Sequence, residues 1–207
     1  MQTIKTSALI NDLQQQTEEF LQKAISEWQM LPPSKLLLQP GENNWSAAQC
    51  LAHLNSYGYY YLPAIEKAIN MAKTHSLQAN EYKPGWLGDY FTKLMMPPTK
   101  GKKMKKMSSP KNHYPSADVD SDSVIQEFIN QQEKMLSLLE EARSINIEKS
   151  KVAISIAKFI KLQLGDVFRF LIAHTYRHVL QAERALTGSE KETTALESKE
   201  KYTVSQL

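Results

Sequence analysis

Residues 164–186 read Leu164-Gly165-Asp166-Val167-Phe168-Arg169-Phe170-Leu171-Ile172-Ala173-His174-Thr175-Tyr176-Arg177-His178-Val179-Leu180-Gln181-Ala182-Glu183-Arg184-Ala185-Leu186, and Gly188 follows. Leu164, Val167, Leu171, His174, His178, Ala182 and Ala185 recur at three- and four-residue steps, which is one face of an α-helix turned to a core. Two positions of that stripe carry histidine where leucine is expected. Their i, i+4 spacing sets the two Cβ atoms ~5–6 Å apart on one face. No Asp or Glu shares the stripe to satisfy two buried imidazoles. A divalent ion fills that role, with metal–nitrogen bonds of ~2.0–2.1 Å. The competing reading is two core histidines satisfied by protein hydrogen bonds.

Outward from this segment, three more helices are expected. The first spans about Ser7 to Leu31, with Leu9, Leu13, Phe20, Ala24, Trp28 and Leu31 on its apolar face, and Pro32-Pro33 stops it, since proline lacks the N–H of the ladder. The second opens at Ser46, where Gln49 three residues on completes a capping box and Trp45 and Cys50 are placed to form a hydrophobic staple. It continues through Leu51, Leu54, Gly58, Tyr61 and Ile65 to about Met71, and Pro63 within it is expected to kink or divide it. The third starts near Ser123 and buries Ile125, Phe128, Met135, Leu136 and Leu139. Four such helices without a strand signal predict an all-α fold, a four-helix up-and-down bundle. Residues 1–188 form one expected domain. Residues 76–120 are an irregular crossover between the second and third helices, long enough for these to run parallel, with a short helix around Trp86 to Met95. Residues 144–161 read as a linker, and 189–207 as a polar, disordered tail.

Among 207 residues, 42% are hydrophobic and 23% charged, the balance of a globular protein with a sizeable core. No apolar run approaches the ~20 residues that cross a bilayer, and no secretory h-region opens the chain. Cys50 is the only cysteine, which excludes an internal disulfide and suits a reducing compartment. A cytoplasmic location is the expectation. The net charge of +3 gives no ground for nucleic acid.

His53 lies one turn past Cys50, at the margin of the second helix's stripe, and can reach the centre of the bundle. With His174 and His178 it makes a three-histidine set. Three neutral imidazoles leave a fourth position open, as catalytic sites do. Metal-bound water or a thiol there would be the reactive group, with no further catalytic residue evident. Nitrogen donors suit Zn, Ni, Fe or Cu, among which the sequence does not choose; Zn, Ni or Fe is the expectation. Affinity should fall as pH drops through the histidine range near ~6.5. His75 and His113 lie in or beside the crossover without a helical partner and are expected to be inert. Arg177 and Gln181 flank the pair and either orient the ligands from outside or are polar residues at the stripe's edge, the edge reading being preferred for Arg177. Tyr57, Tyr59, Tyr60 and Tyr61 are expected to pack, with one or two facing a substrate. Cys50 reads as a buried structural residue. The run Lys100 to Lys106 reads as a solvated loop, since no aromatic residues are interleaved.

The stretch Trp45-Ser46-Ala47-Ala48-Gln49-Cys50-Leu51-Ala52-His53-Leu54 resembles the start of the second helix in DinB-like (YfiT-like) proteins. Leu164-Gly165-Asp166 with His174-Thr175-Tyr176-Arg177-His178-Val179-Leu180-Gln181 resembles that family's fourth-helix signature. The resemblance extends over roughly residues 5–188 and leaves out the basic segment and the tail. It implies a four-helix bundle with a long crossover between helices two and three, and a metal site at His53, His174 and His178. It also implies a metal-dependent transferase acting with a small thiol, a metal-dependent hydrolase being the alternative. A non-enzymatic bundle that binds a ligand or partner around a vestigial site is the reading of another class. The expected partner is a small-molecule substrate such as a low-molecular-weight thiol, not nucleic acid or a membrane; a homodimer is compatible with the sequence.

Overall fold

Ser46 precedes and caps the longest helix among the described residues, Ala47–His75. Its Oγ accepts from the Gln49 N–H at 3.2 Å, while the Gln49 Oε1 accepts from the Ser46 N–H at 3.0 Å. That reciprocal cap starts the helix as expected. The computed structural model describes residues 2–75, 78–97 and 107–188. The expectations for Lys100 to Lys106 and for the tail 189–207 fall outside those residues.

In chain order the elements are β1 (Ile4–Lys5), α1 (Thr6–Ser26), α2 (Pro33–Leu36), α3 (Ala47–His75), β2 (Glu81–Tyr82), α4 (Trp86–Met95), α5 (Ser121–Ala142), β3 (Lys151–Ile154), β4 (Ala157–Gln163) and α6 (Leu164–Thr187). Single 3₁₀ turns occur at Trp28–Met30 and Lys111–His113. Helix dominates. α1 stops earlier than expected, because Trp28–Met30 tightens into the 3₁₀ turn ahead of Pro32-Pro33. Pro63 does not divide α3. Pro63 and Tyr59, whose carbonyl it leaves without an N–H, lie on the exposed side, where water can take the carbonyl. α5 is capped by Asp120 rather than Ser123: the Asp120 carboxylate accepts from the Asp122 N–H and the Ser123 hydroxyl. α6 closes at Gly188, whose φ of 66° is the left-handed C-cap that glycine adopts without strain.

α1 and α3 each pack against both α5 and α6. Phe20, Trp28, Ile65, Phe128, Leu138 and Phe168 are fully buried between them, each burial being favourable by roughly 1.5–3 kcal/mol. The absence of strands was an incorrect expectation. β1 pairs antiparallel with β2, and β3 with β4 in a hairpin closed at Ser155-Ile156. The signal was present: Val152 and Ile154, then Ile160 and Leu162, alternate at period two in a β-branched stretch, but no Gly or Asn marks the turn.

A buried polar anchor holds α4 to the start of α6. The Tyr82 hydroxyl donates to Asp166, the Gly85 N–H donates to the same carboxylate at 3.1 Å, and Arg169 donates to Asp89 at 3.1 Å. Burial pushes the Asp166 carboxyl and the Tyr82 hydroxyl upward from their ordinary ranges. Gly88 allows this approach, since a Cβ there would stand 2.2 Å from the Asp166 Cγ.

Candidate metal centre

His53 comes from the second turn of α3, His174 and His178 from the middle of α6, and the packing of α3 on α6 brings them together. One nitrogen from each lies within 4.8 Å of the others. Ring centroids stand 4.5 Å (His53–His178), 4.7 Å (His174–His178) and 5.1 Å (His53–His174) apart. All three are buried, at 2%, 4% and 8% exposure, and no carboxylate joins the group among the described residues.

Two of the imidazoles have their tautomers set. His53 Nδ1 lies 2.7 Å from the His113 carbonyl oxygen; a carbonyl only accepts, so Nδ1 carries the proton and Nε2 the lone pair. The His178 Nδ1 donates to the Gln181 Oε1 at 2.9 Å, which leaves its Nε2 free as well. Outer hydrogen bonds of this kind orient metal-ligating histidines. His53 Nε2 and His174 Nε2 are 3.2 Å apart, close to the ~3.4 Å between two donors on a tetrahedral ion with bonds of ~2.1 Å. Burial holds His53 down at about 4, His178 at about 3, and His174 well below its ordinary value. The imidazoles are therefore neutral at pH 7, as ligation requires. The three residues fit a divalent ion.

Aromatic rings wall the centre. Trp45 lies 5.0 Å from His53 and 5.9 Å from His178, so it faces the site. Tyr57 lies 4.4 Å from His174, and Phe170 stacks on the same ring at 5.8 Å. Tyr114 meets Trp45 edge-on. Of the tyrosine run only Tyr57 reaches the histidines; burial pushes its hydroxyl to about 12, so it stays protonated. Tyr61 accepts from the Ser155 N–H, Tyr60 reaches the Ala153 carbonyl, and Tyr59 is exposed. Cys50 is fully buried, its thiol pushed upward by desolvation, and it stands outside the cluster. Arg177 is buried rather than at an edge, and its charge adds to the pressure keeping His174 and His178 neutral.

The expectation that His113 is inert fails. Its backbone carbonyl orients His53, and its side chain is buried against Tyr57 with ring centroids 3.9 Å apart. Ser56 Oγ donates to the His53 carbonyl and so accepts from His113 Nδ1 at 2.9 Å, while Ser155 Oγ lies 3.1 Å from His113 Nε2. Nothing in the irregular sequence around Pro110 and Pro115 signals this, because the partners come from α3 and the β3–β4 turn. His75 ends α3.

Among the described residues no helix is long and apolar enough to cross a membrane. No curated protein and no solved structure matches the chain. The family model of the DinB superfamily does, over residues 13–182, a span that contains all three histidines and both motifs around them, and the chain belongs to that superfamily.

Proposed function

We propose that this protein is a divalent-metal-dependent transferase of the four-helix up-and-down type, with Zn, Ni or Fe held by His53, His174 and His178, that acts with a small thiol. The observation that carries this reading is three buried, neutral imidazoles with donor nitrogens within 4.8 Å and no carboxylate among them. When bound, such an ion acts as a Lewis acid and lowers the pKa of a thiol or water it coordinates. The protein supplies the rest. The His113 carbonyl and Gln181 hold two imidazoles with Nε2 inward, Trp45, Tyr57 and Phe170 keep bulk water away, and the Tyr57 hydroxyl remains a proton donor at neutral pH. Hydrolysis would use the same groups.

One observation favours the non-enzymatic reading. The histidines are nearly closed off, and the cavity beside His174, lined by Leu54, Tyr57, Gln131, Met135 and Leu171, holds about 30 Å³, room for one water. Metal analysis of untagged protein, followed by a thiol-conjugation assay with a generic electrophile, separates the readings. The proposal requires about one ion per chain and conjugation abolished by His174→Ala. Bound metal without turnover of any thiol or ester supports a binding role, and metal-free protein that ignores added Zn refutes the centre.

A further inference from the structure

The β3–β4 hairpin ends on the surface with two large apolar side chains outside the core: Phe159 is 87% exposed and Ile156 61% exposed. On α4, which packs against β4, Trp86 and Tyr90 occupy one exposed helical edge, four residues apart, with Trp86 74% exposed. The same elements are basic. Residues 149–163 contain Lys149, Lys151, Lys158 and Lys161, all exposed, and no acidic residue. Lys83 is exposed just before α4, and the one carboxylate within α4, Asp89, is tied to Arg169 and Lys93. A chain of net charge +3 thus gathers positive charge and exposed apolar groups on adjoining elements.

Aromatic side chains beside lysines are the composition of a lipid–water interface, where Trp and Tyr sit among headgroups and lysine ammonium groups reach phosphate. A nucleic-acid surface would look different. Arginine, the residue of bidentate phosphate and base contacts, occurs only at positions 143, 169, 177 and 184, on none of these elements, and Ile156 offers no ring on which a base could stack. We propose that the face formed by α4 and the β3–β4 hairpin docks this protein peripherally on an anionic lipid surface, with Phe159, Ile156, Trp86 and Tyr90 entering the headgroup layer. A membrane partner was not expected from the sequence.

Sedimentation of the full chain with vesicles tests the proposal. Vesicles of phosphatidylcholine mixed with phosphatidylglycerol should bind, pure phosphatidylcholine should not, and high salt should weaken binding. Each lysine near such a surface contributes roughly fivefold, so Lys158→Ser with Lys161→Ser should lower partitioning about 25-fold. Phe159→Ser should lower it about tenfold or more. Both variants change exposed side chains and should leave the melting temperature unchanged. A third variant, with the five lysines of residues 100–106 changed to serine, should bind anionic vesicles and remain sensitive to Phe159→Ser. The proposal is overturned if both vesicle types bind alike, or if the hairpin variants bind as wild type. It also fails if the protein binds a single-stranded oligonucleotide through these residues and no vesicle.

Discussion

His113→Ala is the most discriminating single change, because a reading of the sequence treats it as a neutral control and the structure does not. The substitution removes the hydrogen bonds to Ser56 and Ser155 and the stack on Tyr57. Two part-buried hydrogen bonds at roughly 0.5–1.5 kcal/mol each, with a ring pair of similar size, give about 1.5–4.5 kcal/mol of lost stability without metal. The carbonyl that orients His53 loses its anchorage with them. Loss of an orienting partner costs about 10–100-fold in metal affinity, which is roughly 1.4–2.7 kcal/mol. Zinc affinity from competition with a chromophoric chelator, beside denaturant melts of the apoprotein, measures both. Wild-type affinity in a variant that is also as stable as wild type would show that the segment around His113 neither positions His53 nor supports the fold.

Zinc at a hundredfold excess over its dissociation constant should stabilise the wild type by about 2.7 kcal/mol; His53→Ala, His174→Ala or His178→Ala should each abolish most of that gain, read as a melting-temperature shift. The double variant of His174 and His178 should be little worse than either single one. The apoprotein should lose stability as pH falls. The folded pKa of His53, about 4, lies below the ordinary 6.5, so the unfolded chain binds more protons; the stability is complete above the unfolded value and about 3 kcal/mol from this residue alone is lost on the way to pH 4. An apoprotein whose urea midpoint is flat between pH 7 and pH 4.5 would contradict the burial of neutral imidazoles. Protons should likewise compete with metal well below pH 6.5 while the fold persists, lower than histidine in a peptide suggests. Gly88→Ala should cost about 1–3 kcal/mol, since its Cβ would collide with Asp166; an unchanged melting temperature would show that α4 is not held there.

The sequence by itself determined the main helices and two faces of the candidate metal centre. Periodicity placed the stripes of α1, α3, α5 and α6, the capping box fixed the start of α3, and the HxxxH pair announced itself because histidine replaced leucine on a buried face. Those signals are local, written within a turn or two of chain. What only the tertiary structure decided is non-local. The tautomer of His53 depends on a carbonyl sixty residues away in an aperiodic segment, and the burial of His113 on hydroxyls from Ser56 and Ser155. The anchoring of Asp166 depends on Tyr82 and Gly85, and the basic aromatic face on α4 meeting β4. A hydrogen bond between distant residues leaves no period in the sequence. Its partners are chosen by which surfaces the helices bring into contact.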